Sequence, residues 1–232
     1  MNGEDIYMLF YTLKEALFRA AAETRKREIE TMFGFNPEKD KVIMFGIRDI
    51  GQIKTLVDWA VDTYSEQYGQ TIEAGIWSHA AWDGPIGDIS FSGDYALPPY
   101  NDQMSLEGWK NINFNWSSER ANMVFYGCNT GNDIKEKEKT WVGSFAQKIS
   151  ELSNFRDVYV WGQQSTAFPS FSPYRRKTSI ARSLGLGYGK GNTYMVGGNA
   201  DEGLAALGLT LGGFPRVKPM NVYRNGRKVR FD

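Results

Sequence analysis

The feature that most limits how this chain can fold is a series of short apolar runs lacking polar alternation, separated by segments of helical spacing. Val42 to Ile47, Ala74 to Ser78, Met123 to Tyr126 and Val158 to Trp161 are the runs. Between the first two, Leu56, Val57, Ala60 and Val61 recur as on one face of a helix over 53–64. Leu106 to Ile112 reads as a short helix, and Trp141 to Leu152 as another with Phe145 and Ile149 on one face. Strands that are apolar on both faces need cover on both. The pattern therefore predicts an α/β fold with a mostly parallel sheet flanked by helices.

The ends of the chain read differently. Over residues 4–33, Ile6, Phe10, Leu13, Leu17, Phe18, Ala21 and Ala22 fit an amphipathic helix, and Gly34-Phe35-Asn36-Pro37 breaks it. Residues 1–37 are therefore expected to form an N-terminal helical segment, and residues 38–232 the α/β domain. After Gln163 the expectation is loops and short strands. Asn225-Gly226, between Val222-Tyr223 and Val229, predicts a two-residue hairpin.

The single histidine and the single cysteine of the chain both fall at strand ends. His79 closes Ile76-Trp77-Ser78-His79, and Cys128 closes Val124-Phe125-Tyr126-Gly127-Cys128. In open α/β sheets ligands gather beyond the carboxyl ends of the strands, so two reactive groups there are expected close together. Cysteine attacks as a thiolate, and a neighbouring imidazole can take its proton and return it to a leaving group. Gly127 allows a tight turn before the nucleophile. Asn129, Thr130 and Gly131 read as polar, flexible surroundings with exposed amides, so the N–H of Cys128 or Asn129 could serve an oxyanion.

The apolar strand ending at His79, followed 128 − 79 = 49 positions later by Tyr126-Gly127-Cys128-Asn129-Thr130-Gly131, resembles the caspase-like cysteine peptidase superfamily of caspases, legumains and gingipains. The stretch around Cys128 and the Phe145-Ala146 helix also resemble caspase-like modules of bacterial toxin and surface proteins. The likeness spans roughly residues 40–165. In caspases the histidine stands about 50 residues before the cysteine, whereas papain-type enzymes have the cysteine first.

The resemblance implies a three-layer sandwich and amide hydrolysis through an acyl-enzyme, with Cys128 as nucleophile and His79 as general base and acid. Members usually carry glycine directly after the histidine, as an oxyanion donor. Here Ala80 and Ala81 follow, and the N–H of Ala80 would take that part. The Gln-Ala-Cys signature of true caspases is absent.

The same superfamily sets specificity with a charged pocket beside the dyad. Arg48 and Arg175 or Arg176 are candidates for an acidic substrate side chain, and Asp49, Asp83 or Asp88 for a basic one. Gln163, just past the fourth run, joins the substrate-binding candidates. Arg175-Arg176-Lys177 reads first as a solvated loop. Gly185-Leu186-Gly187-Tyr188-Gly189-Lys190-Gly191 lacks the Gly-Lys-Ser/Thr of a phosphate loop and reads as a flexible loop or lid.

Composition excludes some partners. With 27 basic and 27 acidic residues there is no net charge to draw in nucleic acid or an anionic membrane. The basic stretch Arg216, Lys218, Arg224, Arg227, Lys228 and Arg230 reads as a solvent-facing hairpin. One histidine and one cysteine do not make a dedicated zinc site, so no cofactor is expected. No apolar stretch approaches the ~20 residues of a membrane span, and a lone cysteine forms no internal disulfide.

The N-terminal residues carry no signal-peptide pattern. A cytoplasmic location, or delivery into a target cell within a larger secreted polypeptide, follows as the expectation. The leading reading is a cysteine endopeptidase acting on protein or peptide, with a toxin or effector role and an immunity or inhibitor protein as the implied partner. A cysteine-dependent deamidase or acyl transferase, and a non-catalytic binding module, are the alternatives.

Overall fold

The computed structural model describes residues 5–64, 69–87, 104–132, 143–164, 166–169, 195–198 and 220–230. Its centre is a seven-stranded sheet. The strands are β1 (Asp5–Thr12), β2 (Lys41–Ile47), β3 (Gln70–Trp77), β6 (Asn122–Phe125), β7 (Tyr159–Gly162), β10 (Asn221–Arg224) and β11 (Arg227–Val229), in the spatial order β11-β10-β7-β6-β3-β1-β2. The five strands from β7 to β2 run parallel, and β10 and β11 are antiparallel additions. Two small ribbons, β4 (Ala80–Ala81) with β5 (Gly84–Pro85) and β8 (Thr166–Pro169) with β9 (Met195–Gly198), lie outside this sheet. The α/β class with a mostly parallel sheet is the one the apolar runs predict.

Residues 5–12 correct the sequence reading. They form a strand, β1, paired with β2 on one side and β3 on the other. The expected helix shrinks to α1 (Ala16–Thr31). A helical spacing through Ile6 and Phe10 skips the intervening Tyr7, Met8 and Leu9, and it is their unbroken burial that marks an inner strand. Ile6, Met8 and Phe10 enter the core on one face of the sheet, and Tyr7 and Leu9 the core on the other.

The two cores have separate helices. α1 supplies Phe18, Ala21, Ala22 and Ile29 to one. α2 (Ile50–Tyr64), α3 (Leu106–Trp109) and α4 (Phe145–Ser150) supply Ile53, Val57, Trp109, Phe145 and Ile149 to the other. The sheet order accounts for this. The chain steps from β1 outward to β2 through α1, then back across β1 to β3 through α2. Right-handed crossovers taken in opposite directions put their helices on opposite faces. At the carboxyl ends of β1 and β3 the chain thus departs to different faces, which opens a crevice there.

The C-terminal hairpin follows its sequence signal. Asn225 and Gly226 both have positive φ, 50° and 75°, as a type I′ turn requires.

Candidate functional site

The residues around the crevice are aligned by strand register. β3 pairs with β6 as Glu73↔Asn122, Ala74↔Met123, Gly75↔Val124 and Ile76↔Phe125, a constant offset of 125 − 76 = 49. The Tyr126 amide continues the ladder by donating to the Ile76 carbonyl at 3.0 Å. The same 49 positions separate His79 from Cys128, which follow just beyond the ends of these two adjacent strands.

Just past the strands the two segments touch. A Cβ on Gly127 would fall 2.3 Å from Cβ of Ala80 and 3.2 Å from the Ser78 carbonyl. The segments carrying the two side chains are thus in van der Waals contact, and only glycine fits between them.

His79 faces the α1 side. The edge of its ring meets Phe18 at 5.1 Å between centroids, with an interplanar angle of 85°. Its Nε2 lies 3.6 Å from Oε1 of Glu15, the residue that precedes α1. Trp77 at the end of β3 and Tyr126 just past β6, both in the α1-side core, stack at 4.1 Å and 8° as a floor below the strand ends.

Beneath that floor Arg25 of α1 makes a two-pronged ion pair with Glu73 of β3, Nε to Oε1 at 2.8 Å and Nη2 to Oε2. Burial, and then the Glu73 charge, push the Tyr126 phenol well above its ordinary pKa of 10.0. Burial opposes the Arg25 charge, but Glu73 outweighs it and raises the guanidinium further.

The loop after Cys128 departs from its expected flexibility. Asn129 adopts φ 59°, a left-handed conformation that asparagine tolerates better than most residues, and turns the chain back toward the sheet. Thr130 is fully buried. Its hydroxyl accepts the Gln163 amide at 3.1 Å and has its own proton within reach of the Gly127 and Phe125 carbonyls. The Gly131 amide donates to the Gln163 carbonyl at 2.8 Å, and Asn221 Nδ2 donates to the Gly131 carbonyl at 2.7 Å. A Cβ on Gly131 would sit 2.2 Å from the Gly162 carbonyl oxygen. These bonds make the loop a rigid mount rather than a mobile one. The Asn129 amide makes no hydrogen bond to another described residue, which leaves it available to an oxyanion.

The remaining candidates divide. Ala80 is half-buried against Gly127 in the short β4–β5 ribbon. Gln163 stands at the end of β7, next to β6, with its carboxamide Nε2 buried and without a hydrogen-bond partner. Arg48 is exposed at the end of β2, three strand spacings from β6, or about 14 Å across the sheet. Asp49 caps α2 by accepting the Gln52 amide at 2.9 Å. Asp83 is exposed at the tip of the β4–β5 ribbon. Asp88, Arg175 and Arg176, and the glycine-rich 185–191 segment, lie outside the described residues.

Glu15 was not among the sequence candidates. Nothing in its neighbourhood signals a strand end until residues 5–12 are recognised as one. Among the described residues no three of His, Cys, Asp and Glu gather as a metal site.

No family model matches the chain, and no curated protein does. Among solved structures it is similar to a secreted C11 cysteine protease from Bacteroides thetaiotaomicron, determined in complex with an irreversible peptide inhibitor. The two share 13% identity over 71% of this chain and 50% of that one, with a TM-score of 0.45. The chain thus spans about half the length of that protein.

Proposed function

We propose that this chain is a cysteine peptidase, with Cys128 as nucleophile and His79 as general base and acid. The observation that supports the reading is the parallel β3–β6 register, whose offset of 49 equals the separation of the only imidazole and the only thiol, just beyond the carboxyl ends of those two strands.

Chemistry follows from the arrangement. His79 takes the Cys128 proton, and the thiolate adds to an amide carbonyl carbon. The negative oxygen that forms is met by backbone N–H groups of Ala80, Cys128 or Asn129. Collapse of this adduct breaks the C–N bond as His79 hands its proton to the departing amine, leaving a thioester on Cys128. Water, deprotonated by His79, then adds to the thioester, releasing the acid and restoring the thiol. The rigid mount matters because attack demands near-contact geometry before the reaction starts. Gln163, 1% exposed, ties the loop after Cys128 to the end of β7 through its backbone amide and carbonyl.

Purified wild type, Cys128→Ala and His79→Ala are incubated with a diverse peptide library, and new termini are identified by mass spectrometry. The expected result is cleavage by wild type alone. Cleavage that survives Cys128→Ala overturns the proposal. A gain of about one dalton on Asn or Gln without scission redirects it to deamidation. An effector role, with delivery inside a larger polypeptide and an inhibitory partner, remains part of the proposal and predicts that expression in a target cell is harmful only with Cys128 intact.

A further inference from the structure

Helix α1 opens in a way that its own stability does not explain. Glu15 holds the N-cap position, where Ser, Thr, Asp and Asn are favoured because their short side chains reach back to the first free amides. The Glu15 side chain makes no such bond, and the first turn carries no other acidic residue to meet the helix dipole. The carboxylate extends instead to His79, Oε1 to Nε2 at 3.6 Å.

Three residues on, Phe18 presents its ring to the same imidazole, 5.1 Å between centroids and 85° between planes. The Phe18 amide donates to the Glu15 carbonyl at 3.0 Å, so both groups ride on one hydrogen-bonded turn. That turn is anchored. Phe18 is 4% exposed and belongs to the core of Ala21, Trp77 and Tyr126, and two turns further along α1 Arg25 is paired with Glu73 of β3.

The backbone of His79 is placed separately, its carbonyl accepting the Ile86 amide at 2.8 Å. That bond fixes where the side chain starts but not its two torsions, and the imidazole is half exposed. A side chain so exposed samples several rotamers, whereas proton exchange with a thiol needs one.

We propose that the first turn of α1 is the positioning element of His79, with Phe18 and Glu15 as positioning residues. They hold the imidazole in one orientation for its exchange of a proton with Cys128. Phe18 restricts the ring by packing, and Glu15 by attraction to the imidazolium formed when the thiol proton is taken. This rests on the reading of His79 as general base, while the hold on the ring is a property of the resting protein.

His79 is the only imidazole and Cys128 the only thiol, so each is followed without a known substrate. Alkylation of Cys128 by iodoacetamide at neutral pH is timed by mass spectrometry, and the two imidazole C–H resonances are recorded by NMR. The proteins are wild type, His79→Ala, Phe18→Leu, Glu15→Ser and Ile29→Val. Ile29 lies in the same core about 16 Å along the helix and controls for α1 packing.

Alkylation is expected to be faster in wild type than in His79→Ala. Phe18→Leu is expected to slow it about tenfold, the equivalent of one aromatic pair, and to move the imidazole resonances toward those of a free ring. Glu15→Ser is expected to slow it up to about fivefold while raising Tm by about 2 °C, because serine caps the helix. Slower chemistry in a more stable protein is not a packing effect, so this variant keeps the test decisive even if Phe18→Leu does not fold. Ile29→Val is expected to lower Tm and leave alkylation and resonances as in wild type. On a peptide that wild type cleaves, Phe18→Leu should lower kcat with KM unchanged.

Alkylation that depends on His79 but is as fast in Phe18→Leu and Glu15→Ser as in wild type overturns the inference and leaves the peptidase reading standing. So does an equal slowing in Ile29→Val. Alkylation as fast in His79→Ala as in wild type overturns the peptidase reading, and the inference with it.

Discussion

Oε1 of Glu15 lies 3.6 Å from Nε2 of His79, across the crevice between the ends of β1 and β3. The two come from strands that are neighbours in space, though 79 − 15 = 64 positions separate them in the chain.

Both partners of that contact are about half exposed, at 53% and 45%. An exposed pair of this kind contributes up to about 1 kcal/mol, or about fivefold in rate. Glu15→Ala is expected to lower kcat/KM for peptide cleavage by no more than that, with Glu15→Asp recovering part. A loss of several hundredfold in the steady-state assay would mean that the carboxylate does more than orient the ring.

Thr130 joins the nucleophile loop to the end of β7. Thr130→Val removes the acceptor that the buried Gln163 amide has among the described residues, and one unsatisfied buried donor costs about 1–3 kcal/mol. Urea denaturation is expected to show that loss, with most of it restored in Thr130→Ser. Turnover should follow the same order if the loop is the mount for Cys128.

Arg25 and Glu73 fasten α1, and with it Phe18 and Glu15, to the sheet. Their side chains are 12% and 4% exposed. Glu73→Leu leaves the buried guanidinium only the more distant Glu28, at 3.7 Å, and is expected to cost about 3 kcal/mol. The paired change Arg25→Met with Glu73→Leu should recover most of it, because the desolvation of both charges is removed. Equal losses in the single and the double variant would show that the ion pair is not what makes the site sensitive.

Asp5 gives a pH signature of opposite sign to most carboxylates. Burial raises its pKa above the ordinary 3.8, and the Arg120 guanidinium at 2.8 Å only partly offsets this. The folded state then holds the proton more tightly than the unfolded one, so this group's contribution to stability falls as pH rises from 3.8 through the raised value. Asp5→Asn is expected to remove that slope, and its Tm relative to wild type should improve from acid to neutral pH. A variant that loses ground at neutral pH would show that the Arg120 pair outweighs burial.

Much of the fold was legible in the chain. β2, β3, β6 and β7 stand where unalternating apolar runs predict them, because strands covered on both faces have no polar side to show. β1 was misread because its run abuts a true helix, and a spacing sampled every three or four residues across Ile6 to Ala22 conceals the change of period. The flexible loop expected after Cys128 was misread for another reason. Asn, Thr and Gly suit a mobile turn as well as a clamped one, and the clamp is supplied by Gln163 and Asn221 from distant strands.

Sequence alone determined the α/β class, and it singled out His79 and Cys128 as strand-end residues, since periodicity and chain breaks are local properties. That β3 and β6 lie side by side, that Glu15 meets the ring, and that β2 ends the sheet of described strands were decided only by tertiary structure. Register and strand order depend on which segments bury one another's faces, and that is settled by packing between residues far apart in the chain.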